Sequence, residues 1–160
     1  MFETMTSRPN LVLLAAGGSA AMLAAAFLFQ HVGGIAPCEL CLWQRWPHAA
    51  AVLIGLLALM VPGRALPRLG ALAALTTAGI GLYHSGIERG LWPGPASCTG
   101  NGGALGGLSG SDLLSLDAPT GLVMCDKIAW EFAGLSMANL NLLASLVLAL
   151  IWLMAARNRV

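Results

Sequence analysis

Four long apolar runs alternate with polar or glycine-rich segments along the 160-residue chain. The runs cover residues 11–29, 47–61, 69–83 and 140–154, and none contains Asp, Glu, Lys or Arg. A helix over the first run would be about 28 Å long, close to the roughly 30 Å hydrocarbon core of a bilayer. Because a backbone in lipid must satisfy its own hydrogen bonds, we expect each run to be a membrane-spanning helix. The pattern therefore predicts an all-α, integral membrane four-helix bundle that forms one domain over residues 1–160.

The composition supports a membrane protein over the other broad classes. The chain is 58% hydrophobic and only 9% charged, whereas soluble domains average about 25% charged residues. Disorder needs low hydrophobicity and high net charge, so this composition excludes it. The net charge of +1 provides no positive field for nucleic acid. A cleaved signal peptide is the alternative for the first run, but the run is long and ends in Phe29-Gln30-His31 rather than in small residues, so we expect an uncleaved span.

The distribution of Lys and Arg predicts the orientation of the bundle. One side would hold both termini and the turn between the second and third spans, with one acid, Glu3, and five basic residues: Arg8, Arg64, Arg68, Arg157 and Arg159. The two loops of the other side carry more acidic than basic residues. Short Arg-rich segments stay in the cytoplasm. We therefore expect cytoplasmic termini, with the loops at about residues 30–46 and 84–136 outside the cytoplasm.

All four cysteines of the chain fall in these two external loops: Cys38, Cys41, Cys98 and Cys125. Outside the cytoplasm, cysteine pairs are usually oxidised. Four cysteines allow three pairings. Proximity in sequence favours Cys38–Cys41, which leaves Cys98–Cys125.

The Cys38-Glu39-Leu40-Cys41 motif has the spacing of a redox-active pair. It precedes a predicted helix, whose amide dipoles favour a thiolate, and Arg45 follows Cys41 by one turn. A low thiol pKa makes a good leaving group in thiol–disulfide exchange. One alternative is a stapling disulfide, although a CxxC ring constrains little chain. Another is a zinc site on all four cysteines, but only one CxxC is present, so we expect no metal.

Cys98 and Cys125 enclose a glycine-rich segment, residues 99–111. Glycine-rich chain is flexible, so a disulfide there would tether the loop without making it stiff. Such a tether would leave Cys98 accessible to a partner protein. The alternative is a plain loop staple.

Together these motifs resemble those of the disulfide bond formation protein B (DsbB) family, quinone-dependent thiol oxidases of the bacterial inner membrane. The matching pieces, in chain order, are Phe29-Gln30-His31, Pro37-Cys38-Glu39-Leu40-Cys41, Arg45, Tyr83-His84, Trp92-Pro93-Gly94-Pro95, Cys98, Cys125 and Trp130-Glu131-Phe132-Ala133-Gly134-Leu135-Ser136-Met137. The order of a CxxC pair followed by two single cysteines covers essentially the whole chain.

The resemblance implies a route for electrons and four catalytic cysteines. A reduced periplasmic thioredoxin-fold oxidase of the DsbA type would attack the Cys98–Cys125 disulfide and form a mixed disulfide with Cys98. The Cys38–Cys41 pair would then reoxidise the loop pair, and Cys41 would pass two electrons to ubiquinone or menaquinone. Arg45 matches the arginine that the family places beside the quinone. From its position alone, Arg45 is equally suited to anchor a lipid phosphate.

Some residues and rival functions remain open at this stage. The other quinone-side residues of the family do not map cleanly onto residues 83–88, so His84 and Glu88 receive no role, and His31 is expected to cap the first span. In vitamin K epoxide reductase relatives the loop pair precedes CxxC, the reverse of the order here. The non-enzymatic alternative is a small membrane transporter or an assembly protein with structural disulfides. The charge-free apolar runs argue against a transporter.

Overall fold

The computed structural model describes residues 7–95, 98 and 124–158. Within these residues the chain forms four helices and one small hairpin. The helices are α1 (Arg8–His31), α2 (Glu39–Met60), α3 (Ala65–Glu88) and α4 (Met137–Arg157), and the hairpin pairs β1 (Glu131–Phe132) with β2 (Leu135–Ser136).

Three of these helices, α1, α3 and α4, are long and apolar enough to cross a membrane. The apolar second half of α2 matches the predicted run at residues 47–61, but its first turns contain Gln44, Arg45 and His48. These polar residues lower the hydropathy of α2 as a whole, so it is not among the three. The helical class predicted from the sequence is therefore found, with three helices of membrane-spanning character.

The helices extend beyond the apolar runs, and the largest difference is at the start of α2. The sequence predicts a helix beginning near Pro47 after a loop at residues 30–46, whereas α2 begins at Glu39. Cys38 is its N-cap, and the Cys38 Sγ accepts a hydrogen bond from the Cys41 amide at 3.2 Å. A cysteine cap is not among the usual N-cap residues, which is why the sequence pattern did not indicate this start.

The predicted loop at residues 84–136 also contains regular structure. Helix α3 continues through His84 to Glu88, and the β1–β2 hairpin lies directly before α4. Ala133 and Gly134, the two residues between the strands, have φ values of 50° and 78°. Positive φ at both positions is the geometry of a tight hairpin turn. Strands this short leave no alternating pattern in the sequence.

The helices pack around Trp152, a fully buried side chain on α4. The cluster around it consists mainly of alanines, which allow helices to approach closely in a membrane. Its members are Leu11, Val12, Ala15, Ala58, Ala71, Ala74, Leu148, Ala149, Trp152 and Ala155. At the same end of the bundle, the Arg8 guanidinium donates hydrogen bonds to the carbonyls of Val61 and Gly63, at 3.1 and 3.0 Å. The start of α1 is thereby fixed beside the turn between α2 and α3.

Replacing Gly70 with Ala should destabilise the bundle. A Cβ at Gly70 would lie 2.6 Å from Trp152 Cε2, so α3 and α4 would have to move apart. Overpacking of this kind costs about 1–3 kcal/mol. Gly79→Ala on the same helix is the matched control, because its Cβ would meet nothing within 4 Å. Thermal unfolding in detergent should show a lower midpoint for Gly70→Ala only. Equal midpoints would contradict the packing role of Gly70.

Candidate functional site

All four cysteines lie in one buried cluster at the end of the bundle opposite Trp152. Cys38, Cys98 and Cys125 are core members of this cluster together with Leu40 and Ile87, and Cys41 packs against it. Cys98 and Cys125 form a disulfide with a Cα–Cα distance of 5.2 Å. The Cys125 amide also donates a hydrogen bond to the Cys98 carbonyl at 2.6 Å.

Cys38 and Cys41 are two thiols, and the Cys38 Sγ donates a hydrogen bond to the Cys41 Sγ at 2.8 Å. This hydrogen bond lowers the pKa of Cys41, and the positive charge of Arg45 lowers it further. The same hydrogen bond, together with burial, raises the pKa of Cys38. Cys41 is therefore the more acidic thiol of the pair. The sequence indicated a lowered thiol pKa at this motif, but the hydrogen bond from the neighbouring cysteine is a larger cause than Arg45.

The two cysteine pairs meet at Cys38 and Cys125. The sulfur atoms of these residues and Nε2 of His84 all lie within 4.8 Å of one another, and the three residues are buried. A sulfur of the CxxC pair thus neighbours a sulfur of the loop pair. Cys38 neighbours the loop pair, whereas Cys41 also lines a larger cavity that Cys38 does not line.

His84, in the last turns of α3, makes four polar contacts around this junction, one of them a hydrogen bond with the Cys125 backbone. Its Nδ1 accepts a hydrogen bond from the Gln44 amide at 3.2 Å, which places the ring proton on Nε2. The Nε2 atom is 3.5 Å from the Cys38 Sγ and 3.7 Å from a Glu88 carboxylate oxygen. The imidazole is therefore oriented by Gln44 and by the Cys125 backbone, with Nε2 next to the sulfur and the carboxylate.

Glu88 connects this group to the start of α4. Its carboxylate accepts a hydrogen bond from the Ser136 hydroxyl, and the Ser136 Oγ accepts one from the Asn139 amide at 3.3 Å as the N-cap of α4. The sequence left His84 and Glu88 without a role. Their i, i+4 spacing does place them on one face of a helix, but that spacing does not reveal that the face is turned toward Cys38.

A cavity of about 230 Å³ lies beside Cys41 and is lined by all four helices. Its walls are mainly apolar, and its polar lining consists of Cys41, Gln44, Arg45, His48, His84 and Asn141. Cys38 is not among its lining residues. Among the described residues, Nε of Arg45 and Nδ1 of His48 have no hydrogen-bond partner, although both atoms are buried. Arg45 and His48, two residues of the cavity wall, thus each carry one buried polar atom without a partner.

Arg45 is held in place by α1. Its Nη1 donates a hydrogen bond to the Gln30 side-chain oxygen at 2.7 Å, and its guanidinium carbon lies 4.8 Å from the centre of the Phe27 ring. The ring face attracts the cation, so both contacts fix the guanidinium at the cavity wall.

A network of polar side chains next to the cavity connects α2, α3 and α4 by hydrogen bonds. His48 Nε2 donates a hydrogen bond to the Asn141 side-chain oxygen at 2.9 Å. The Asn141 amide nitrogen donates to the carbonyl and hydroxyl of Thr77, at 3.3 and 3.1 Å. The Thr77 hydroxyl donates to the Gln44 carbonyl at 3.2 Å. The sequence analysis did not identify this network, since isolated polar residues in apolar helices do not reveal their partners.

Two elements of the sequence analysis lie outside the described residues. The glycine-rich segment at residues 99–111 is one of them. The other is a set of charged residues that contributed to the predicted orientation: Glu3, Asp112, Asp117 and Arg159.

Comparisons with known proteins agree on one family. The family described as "Disulfide bond formation protein DsbB" matches residues 8–155. A disulfide bond formation protein B of Aromatoleum aromaticum is 35% identical, over 88% of this chain and 87% of the relative. The protein of the same name from Pasteurella multocida is 30% identical, over 95% and 89%. One from Shewanella amazonensis is 34% identical, over 83% and 80%.

No solved structure matches the chain. The family match covers nearly the entire sequence and includes the cysteine cluster, the cavity and three helices of membrane-spanning character. A role in disulfide bond formation and the character of a membrane oxidoreductase follow from that match. The chain belongs to the disulfide bond formation protein B (DsbB) family.

Proposed function

We propose that this chain is a quinone-dependent protein-disulfide oxidoreductase of the bacterial inner membrane. It reoxidises a periplasmic thioredoxin-fold dithiol oxidase of the DsbA type, with its cysteines on the periplasmic side and both termini in the cytoplasm. The observation that carries the proposal is the asymmetry of the CxxC pair. Cys38 neighbours Cys125 of the loop pair, whereas Cys41 lines the cavity.

The first steps exchange disulfides between the partner and the loop pair. Cys98 is buried in the structure, contrary to the accessibility expected from the sequence, so it must first become exposed to the partner. A thiolate of the reduced partner then attacks Cys98, forms a mixed disulfide and releases Cys125 as a thiolate. Cys125 then attacks the neighbouring Cys38 of an oxidised Cys38–Cys41 pair. A Cys38–Cys125 disulfide forms, and Cys41 leaves as a thiolate, which its lowered pKa favours.

The remaining steps restore the loop disulfide. The second thiol of the partner attacks the mixed disulfide, so the partner leaves oxidised and Cys98 becomes a thiolate. Cys98 attacks Cys125, which remakes the Cys98–Cys125 disulfide and expels Cys38. When Cys38 and Cys41 close their disulfide again, they release two electrons and two protons, and a bound quinone supplies the acceptor for them.

The residues around the cavity fit a quinone headgroup. The volume of about 230 Å³ is below the range of roughly 300–1,000 Å³ that is usual for drug-sized ligands, and it suits a single ring rather than a whole lipid quinone. The Arg45 guanidinium supplies N–H donors for a quinone carbonyl, and the His48 imidazole is a second polar group on the cavity wall.

The energetics of the partner require an acceptor of this kind. Oxidases of the DsbA type have potentials near −120 mV, and an ordinary disulfide at about −200 mV would oxidise them only at a cost of nearly 4 kcal/mol. A quinone removes this difficulty because it is a stronger oxidant and is soluble in the membrane.

His84 is proposed to stabilise Cys38 as a leaving group. Its Nε2–H lies 3.5 Å from the Cys38 Sγ and donates to the thiolate that forms when Cys98 attacks Cys125. Gln44 keeps the proton on this nitrogen by donating to Nδ1. His84 therefore acts on the exchange between the two pairs.

The direct test of the function is a turnover assay with a reduced DsbA-type protein and a soluble quinone, followed by quinone absorbance. The unaltered chain should reduce the quinone, and Cys41→Ser should abolish the absorbance change. Cys98→Ala should stop oxidation of the partner while Cys38–Cys41, reduced chemically, still reduces the quinone. Unchanged turnover in Cys41→Ser would reject the assigned electron exit, and no turnover by the unaltered chain with a competent partner would reject the function.

Arg45→Met should weaken quinone binding. The substitution removes the guanidinium donor at the cavity wall, and a hydrogen bond to a charged group is worth about 1.5–3 kcal/mol. KM for the quinone should therefore rise roughly ten- to a hundredfold, with a smaller change in kcat. Arg64→Met, in the exposed turn between α2 and α3, is the control and should leave KM unchanged. If Arg45 only anchors a lipid phosphate, both variants will have the KM of the unaltered protein.

His84→Gln should slow transfer between the two cysteine pairs by about ten- to a hundredfold. The measurement is a single turnover without quinone, in which trapping and mass spectrometry report the redox state of each pair over time. Reduction of Cys98–Cys125 by the partner should keep its rate, while the appearance of reduced Cys38–Cys41 should be delayed. His31→Gln, an exposed residue stacked on Phe27, is the matched control. A His84→Gln protein with normal transfer between the pairs would remove His84 from the mechanism.

A further inference from the structure

Three potential metal ligands from separate parts of the chain converge at the junction of the cysteine pairs. The Cys38 Sγ, the Cys125 Sγ and the His84 Nε2 lie within 4.8 Å of one another, and all three residues are buried. Thiolate sulfur and imidazole nitrogen are the preferred ligands of Zn²⁺ and similar thiophilic cations. In the structure, Gln44 donates to Nδ1 and the ring proton is on Nε2. Metal binding through Nε2 therefore requires the proton to move to Nδ1 and the Gln44 side chain to turn its oxygen toward it, the support that metal-binding histidines usually have.

A small void lies against this cluster. Its volume is about 20 Å³, and Cys38, Cys41, His84 and Glu88 are among the residues that line it. That volume exceeds the roughly 10–15 Å³ that one water-sized occupant needs. In a tetrahedral site with Zn–S bonds of about 2.3 Å two sulfurs lie roughly 3.8 Å apart, so a shift of up to about 1 Å closes the set. The void therefore has room for a single ion beside Cys38 and His84, and Cys125 is not among its lining residues.

The fourth ligand and the charge balance are available nearby. The Cys41 Sγ is 2.8 Å from the Cys38 Sγ, and a Glu88 oxygen is 3.7 Å from the His84 Nε2. Either can complete a four-coordinate site. Two thiolates and the Glu88 carboxylate carry three negative charges. They balance the two positive charges of a divalent cation and the one positive charge of the Lys127 ammonium, which also lines the void.

The oxidised loop pair cannot supply this ligand set, because the Cys125 sulfur is bonded to Cys98. Reduction by a dithiol breaks that bond, adds two electrons and two protons, and leaves two thiols. Binding of a cation then releases the protons of Cys38 and Cys125 to solvent and shifts the His84 ring proton from Nε2 to Nδ1. We propose that the reduced protein holds one thiophilic divalent cation on Cys38, His84 and Cys125, and that the Cys98–Cys125 disulfide prevents this binding.

The consequence for activity rests on the proposed function, whereas binding itself does not. A cation on Cys38 and Cys125 occupies the two sulfurs that exchange electrons between the pairs. Zn²⁺ is therefore an inhibitor that traps the reduced protein and leaves the oxidised protein untouched. The site was not expected from the sequence, where a zinc site on all four cysteines was the weaker alternative.

The test is to titrate the full chain in detergent, oxidised or reduced, with Zn²⁺ or with Co²⁺ as a spectroscopic probe. Zinc retained after gel filtration and the thiolate-to-cobalt absorption are the readouts. The reduced chain should retain a single ion, and the oxidised chain should retain none. Equal zinc retention by both forms, or no retention by the reduced form, would overturn the proposal. Because the test uses only the unaltered chain, its result does not depend on whether a variant folds.

Two serine variants of the same disulfide give the sharpest control. Both variants remove the disulfide, but only Cys125→Ser removes a ligand of the cation. Cys98→Ser should therefore bind the cation as tightly as the reduced unaltered chain, whereas Cys125→Ser should lower the affinity for the cation at least about tenfold. His84→Gln should behave as Cys125→Ser does, and His31→Gln as the unaltered chain. Equal affinity of the Cys98 and Cys125 variants would overturn the ligand assignment. Retention without quinone turnover would reject the proposed function alone, and turnover without retention would reject the metal site alone.

Discussion

Thiol–disulfide exchange requires that sulfur atoms come into contact, and the end of this bundle is organised around that requirement. Cys38 is the N-cap of α2, and Cys125 lies in the segment between α3 and α4. Burial in one cluster with Leu40 and Ile87 brings their sulfurs together. Because the exchange is a direct attack of one sulfur on another, a displacement of a few ångströms at this junction would stop it whatever the thiol pKa values are.

The polar side chains of the helices hold this junction in position. Asn141 joins α4 to His48 of α2 and to Thr77 of α3, and Thr77 binds the Gln44 carbonyl one turn before His48. Gln44 then orients His84 beside Cys38. In lipid, these groups find few partners other than each other, so the network fixes the register of three helices. The small residues around Trp152 fix the other end of the same helices.

The sequence predicted the helical class and the family well, because long charge-free runs and a CxxC motif are strong local signals. The start of α2 was predicted too late, since polar residues such as Gln44 and Arg45 interrupt the apolar pattern and Pro47 resembles a helix start. The roles of His84 and Glu88 were missed for a different reason. A histidine near the end of an apolar helix gives no sign of its partners, and Cys38 comes from a distant part of the chain. Local patterns predict elements, whereas contacts between elements need the fold.

The early start of α2 also explains how two cysteines of one motif acquire different tasks. In a loop, both sulfurs would sample the same surroundings. With Cys38 at the N-cap and Cys41 in the first turn, the sulfurs stay 2.8 Å apart, yet one faces Cys125 and the other faces the cavity beside Arg45. Their pKa values shift in opposite directions because the hydrogen bond between them raises the pKa of Cys38 and lowers that of Cys41. A relay with a defined direction needs this asymmetry, and a helix that begins inside the motif is the simplest way for a chain to produce it.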